Sequence, residues 1–418
     1  MMQILRDYVK NIRRFSPQAR LYLLVMLLQG MGWGIFRLFF NFYILSFGYS
    51  KDFLGLLISI PSITALIVAL IAGYLSDMIG RKRAFISGGL LIVLSQGAML
   101  LFPSRPLLIV SGVVQGIGTS LFNVTAAPFL MEHSTEAERT HLFSFNSGVS
   151  TMSNFLGNFV GGGLPLLFSR VMQVPPESSP AYAWSLGVTT LLTGLALIPL
   201  FLLKIEPRDL GAADPMAPFR ALWHNRVKMT QLLLPGLIVS LGAGMLIPFM
   251  NVFFRERYGM ADEAIGTLFG FSSLGMGLAI FGSPILAERW GKARTVVITR
   301  AFSIPFLVAM GYVSSLPMAI VSFLSRSALM NLSGPVYQTM VMEEIDGESR
   351  GLIASLNSMI WNLGWAVSPS LSGPLQARYG FDPVFAVTIV TYALSIYLVY
   401  RWFVRGHIRA QALVTQAG

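Results

Sequence analysis

The chain has 418 residues, of which 54% are hydrophobic and only 12% charged. Soluble domains carry roughly a quarter charged residues, so this composition excludes a water-soluble domain and implies an integral membrane protein. Its net charge of +11 makes nucleic acid a candidate partner, while the absence of cysteine excludes disulfides, thiolate catalysis and Cys-based metal sites.

The first twenty residues carry five cations, with no short apolar core and small-residue cleavage site behind them. They read as a cytoplasmic tail rather than a removable signal peptide. Six apolar runs follow, at about 21–45, 53–75, 84–102, 107–131, 141–168 and 183–203. A polar stretch, 204–228, contains Pro207, Pro215 and Pro218 and reads as a linker between two halves. Six more runs lie at about 229–254, 263–287, 295–314, 317–342, 351–376 and 383–403. The expected domains are therefore 1–203, a six-helix bundle, and 229–418, a second one. An even span count leaves both termini on one side. In that topology 21 Lys/Arg are cytoplasmic, 6 lie outside and 3 lie within spans. This positive-inside bias explains the basic charge without nucleic acid and places both termini in the cytoplasm of a multi-pass inner-membrane protein.

Between the second and third spans stands Gly73-Tyr-Leu-Ser-Asp77-Met-Ile-Gly80-Arg81-Lys82-Arg83. Gly73 removes a side chain where a neighbouring helix can approach. Asp77 closes the first helix, Gly80 permits a sharp turn, and three cations hold the turn in the cytoplasm. The halves also repeat. A shift of 211 residues takes Met131, Glu132, Arg139, Ser144, Asn146 and Ser147 onto Met342, Glu343, Arg350, Ser355, Asn357 and Ser358. The same shift takes Asp77, Gly80 and Arg83 onto Glu288, Gly291 and Arg294, while a shift of 210 takes Gly32, Gly34 and Asn41 onto Gly242, Gly244 and Asn251. Such collinear matches are what duplication of a transporter half leaves behind.

The glycine–aspartate–cation turn resembles motif A of the major facilitator superfamily, and the span count, linker and repeat extend the resemblance over nearly the whole chain. The resemblance implies an all-α membrane protein, with twelve transmembrane helices in two pseudo-symmetric six-helix bundles. It implies transport by alternating access through a central cavity lined by the first, fourth, seventh and tenth helices. It assigns cytoplasmic gating to Gly73, Asp77, Gly80, Arg81, Glu132 and Arg139, with Asp77 facing the start of the eleventh helix. Glu288, Arg294, Glu343 and Arg350 form the weaker copy. Two motifs of proton-driven drug exporters are incomplete. The arginine that precedes Gln115-Gly116 in them is absent, and Gly162 stands where proline is expected.

Charges inside spans are costly, about 2.5–3.5 kcal/mol each at a helix centre. Every acidic residue lies in a loop or near a helix end, and the histidines are peripheral. Arg300 is close enough to the cytoplasmic surface to snorkel toward it. Arg326 sits mid-span at the position matching Gln115. Arg37 leans back toward its helix N-terminus, away from the nearer outer surface, on a polar face with Gln29, Trp33 and Asn41. The expected cavity set is Arg37, Arg326, Asn41, Trp33, Gln115 and Asn251; the asparagines serve equally well as polar glue between helices. Asn357, Trp361, Asn362 and Trp365 are open to both readings. A secondary transporter of a small anionic or amphipathic solute follows, with two arginines facing one cavity and no cofactor or metal required. Its partners are that solute, the bilayer and a coupling ion or counter-substrate. Proton-coupled multidrug efflux is one alternative, and a transporter-like receptor is another. No catalytic constellation points to an enzyme.

Overall fold

The computed structural model describes residues 15–204, 226–343 and 350–405, so most of the expected linker lies outside the described residues. Among the described residues the chain forms fourteen α-helices: α1 (Pro17–Ser46), α2 (Lys51–Ile79), α3 (Arg81–Leu101), α4 (Arg105–Glu132), α5 (Glu136–Gly162), α6 (Leu164–Met172), α7 (Ser179–Leu202), α8 (Arg226–Leu246), α9 (Met250–Tyr258), α10 (Asp262–Trp290), α11 (Lys292–Tyr312), α12 (Leu316–Glu343), α13 (Arg350–Tyr379) and α14 (Asp382–Val399). The fifth and seventh expected spans are each broken in two. The fifth breaks at Gly163; the seventh tightens into a 3₁₀ turn at Ile247–Phe249, where Pro248 lacks the N–H an α-helix needs.

Helices outrun the apolar runs by a few residues at most ends, because they continue through the polar interface until a stop signal. Ser16 and Pro17 start α1, the serine hydroxyl accepting from the Ala19 amide at 3.2 Å. Gly80 and Gly291 separate α2 from α3 and α10 from α11 with φ of 88° and 80°, a region other residues rarely adopt. Ten of the described helical segments are long and apolar enough to cross a membrane. α12 and α13, 28 and 30 residues long, are not among them. Their middles carry Ser322, Ser325, Arg326, Ser327 and Asn331, and Asn357, Asn362 and Ser368, which lowers their apolarity without shortening them.

Two compact units emerge. The first comprises Met1–Tyr49, Ile60–Ala213 and Met260–Ser273; the second comprises Ser50–Ser59, Asp214–Gly259 and Leu274–Gly418. The N-terminal ends of α2 and α10 thus belong to the unit opposite their own sequence half. In the first unit α1 packs on α5 and α7, and α3 on α4 and α7. In the second, α8 packs on α13 and α14, and α11 on α12 and α14. The pairings are the same under the repeat. The first core is centred on Tyr22, whose ring lies 5.5, 6.5 and 5.3 Å from those of Phe85, Phe122 and Phe129. The second gathers Leu232, Val296, Val341 and Val399. Lipid is as apolar as these side chains, so close packing rather than water exclusion holds such helices together.

Candidate functional site

The charged turn after α2 assembles a compact cluster in the first unit. Arg81 opens α3, and its guanidinium meets the Asp77 carboxylate at 2.6 Å and the Glu132 carboxylate, from the end of α4, at 3.4 Å. The same guanidinium donates to the Ser76 hydroxyl at 3.0 Å, and Ser76 is 2.9 Å from the Thr125 hydroxyl. Arg81 is nearly buried here, with 9% of its side chain exposed, whereas Asp77 is 37% exposed. Gly73 contributes less than expected. A Cβ there would meet Val124 at an ordinary 3.5 Å.

The second unit repeats the cluster with a different cation. Glu343 pairs with Lys292, while Arg294 and Glu288 are exposed. Lys292 stands at the 211-residue shift from Arg81, so the repeat itself carried the signal that sequence reading missed by matching Arg83 to Arg294. This pair is open to solvent, with side chains 38% and 54% exposed. Arg139 and Arg350 belong to α5 and α13, their side chains lying outside the described residues.

Along α1, Trp33 and Arg37 are both exposed one turn apart, whereas Asn41 is buried and Gln29 half-buried. The polar face therefore narrows to two residues. Arg37 is exposed and lies well inside α1 rather than at either of its ends. Beside it runs an aromatic ladder, with Trp33 stacked on Phe36 at 5.8 Å and Phe36 on Phe40 at 4.8 Å. Gln115 and Asn251 are buried, so their side chains face protein rather than open space. Asn123 of α4, with Ser144, Ser147 and Thr151 of α5, is accessible; a polar residue within an apolar run was the available signal for each. On α13, Trp361 and Asn362 are exposed and Asn357 is half-buried.

Arg326 is enclosed within the second unit, 5% exposed, and donates to the Tyr392 hydroxyl of α14 at 2.7 Å. Arg300 does not snorkel. It is 5% exposed, its Nε donates to Ser333 at 3.0 Å, and its Cζ lies 4.8 Å over the Tyr337 ring. α12 and α14 supply hydroxyls and a π face in place of water, which removes the need to reach the surface. A buried carboxylate also escaped the sequence reading. Asp262 at the start of α10 is 6% exposed and accepts from the Tyr182 hydroxyl at 3.1 Å. Nothing local distinguishes it from a solvated helix-start acid.

Comparison with known proteins agrees with this architecture. The chain is 24% identical over 360 residues to the multi-drug resistance efflux pump PmrA of Streptococcus pneumoniae, covering 82% of this chain and 84% of that protein. It is 26% identical over 196 residues to the multidrug resistance protein MdtG of Escherichia coli, covering 44% of this chain and 47% of that protein. Its fold is similar to that of the nucleoside transporter NupG, with a TM-score of 0.75 and 12% identity over 93% of this chain and 99% of the other. The family model of the Major Facilitator Superfamily matches residues 22–369 and again 232–415, the double match expected of a duplicated half. With the repeated helix pairings and the charged turn after α2 inside that match, the chain belongs to the major facilitator superfamily of membrane transporters.

Proposed function

We propose that this transporter exports an amphipathic organic solute with a negatively charged head, recognised at Arg37 and Trp33. The observation that carries the reading is an exposed arginine in the middle of α1, one helical turn from an exposed indole. A guanidinium gives carboxylate, phosphate or sulfonate two parallel hydrogen bonds, and the indole face takes an apolar ring. Export rather than import is supported by the name of PmrA, an efflux pump. The Asp77–Arg81–Glu132 cluster would act as the cytoplasmic gate, holding while charged groups remain paired and releasing when the bundles rock. The cation bias supports both termini in the cytoplasm.

Proteoliposomes loaded with an anilinonaphthalene sulfonate, an aromatic anion, test the reading beside liposomes loaded with ethidium, an aromatic cation. Wild type should move the anion. Arg37→Lys should slow it roughly tenfold or more, because a lysine cannot reproduce the two-pronged bond, while leaving expression unchanged. Movement of ethidium alone, or an Arg37→Lys variant at wild-type rate, would refute the anion reading. Multidrug efflux, the second reading, is favoured by the name of PmrA, a multi-drug resistance efflux pump, and would then stand.

A further inference from the structure

The middle of α12 buries a cation whose hydrogen-bonding demand the protein does not meet. One terminal nitrogen of Arg326 is satisfied by the Tyr392 hydroxyl at 2.7 Å, and the guanidinium carbon lies 5.6 Å from the ring centroid. Its Nε–H is buried with no partner. So is the hydroxyl of Ser322, which is 0% exposed and stands one turn earlier on the same helix face. Side chains four residues apart on a helix are neighbours, and Arg326 leans toward the helix N-terminus, over Ser322. Both orphaned groups can donate. The Tyr392 oxygen accepts from Arg326 and keeps its own hydrogen to give.

Charge points the same way. None of the ion pairs among the described residues involves Arg326. Arg300, a second buried arginine, is within electrostatic range of the same tyrosine, which adds positive potential rather than removing it. A water molecule would satisfy hydrogen bonds but leave the charge uncompensated in a low-dielectric interior. From the three donors we infer that Arg326, Ser322 and Tyr392 hold a small monovalent inorganic anion, of chloride's kind, inside the second unit. Arg326 is only 5% exposed and Ser322 is 0% exposed, which shuts out the head of an organic solute. The site is therefore separate from solute recognition at Arg37 and stands whether or not that reading holds. Bound there, the ion would join α12 to α14 through one guanidinium and help the unit move as a rigid body.

Thermal unfolding of the purified protein in detergent tests this, in sodium chloride, sodium bromide and sodium gluconate at equal ionic strength. Chloride and bromide should raise the Tm saturably over gluconate. Ser322→Ala should move the chloride midpoint about tenfold upward, the scale of one hydrogen bond to a charged group, and Arg326→Met should abolish the dependence. Ser303→Ala serves as a control, since that hydroxyl already bonds the Arg300 carbonyl at 2.7 Å within its own helix; it should leave the midpoint in place. Equal Tm values in the three salts, or a midpoint unmoved by Ser322→Ala, overturn the proposal and leave only a water or a nonspecific salt effect. If Arg326→Met fails to fold, the comparison of Ser322→Ala with Ser303→Ala decides.

Discussion

Arg81 and Lys292 occupy the same place in the two sequence halves, yet their surroundings make them unequal. Arg81 serves two carboxylates and the Ser76 hydroxyl with 9% of its side chain exposed; Lys292 serves Glu343 with 38% exposed. Removing Arg81 takes away two ion pairs and a hydrogen bond made by a nearly buried cation, at a cost of about 1–3 kcal/mol, whereas an exposed pair is worth about 1 kcal/mol or less. Arg81→Met should therefore lower the Tm clearly and Lys292→Met scarcely at all, measured side by side in detergent. Similar shifts for the two would mean that burial is not what separates them. The charge pattern of the turn was legible in the sequence, because it needs only residue types at fixed spacing. Which carboxylate meets which cation was not, because that depends on how α4 ends beside α3.

At the scale of elements, two crossings share one device. Gly55 of α2 lies so close to α13 that a Cβ would sit 2.3 Å from the Pro369 carbonyl oxygen. On α10, a Cβ at Gly266 would sit 2.5 Å from the Cα of Gly162 on α5. The 211-residue shift carries Gly55 onto Gly266 and Gly162 onto Gly373, so the crossings are copies. This also accounts for Gly162 standing where an exporter motif has proline. Any Cβ there would come within 3.2 Å of the Gly266 Cα. Gly266→Leu should push α10 away from α5, lengthening the distance between spin labels at Val171 and Ala261 and reducing transport. Gly275→Leu, on the same helix with nothing within 4 Å of its Cβ position, should change neither. An unaltered label distance in Gly266→Leu would show that the crossing tolerates bulk.

For the whole molecule, the cation bias makes a directional prediction that the absence of cysteine renders easy to check. Single cysteines at Ser104, Glu177 and Ala261, all exposed, should react with an impermeant thiol reagent added outside intact cells. Cysteines at Thr135 and Lys204, also exposed, should react only after lysis. Labelling of Lys204→Cys from outside would invert the topology and, with it, the assignment of the Arg81 cluster to the cytoplasmic face.

Membrane insertion, the places of the spans, the repeat and the charged turn were determined by the sequence alone. Each is a matter of local apolarity, spacing or charge sidedness, and none depends on which residues meet across the fold. The tertiary structure decided the rest. It broke two spans, at Gly163 and Pro248, and placed the ends of α2 and α10 with the opposite halves. It also separated three arginines that look alike in sequence. Arg37 is accessible, Arg326 is enclosed against Tyr392, and Arg300 is buried among hydroxyls where snorkelling was expected. The physical reason is that a helix periodicity says which residues share a face, but not what lies opposite that face. For an intramembrane cation, the partner opposite decides whether it is structure, ion site or substrate site.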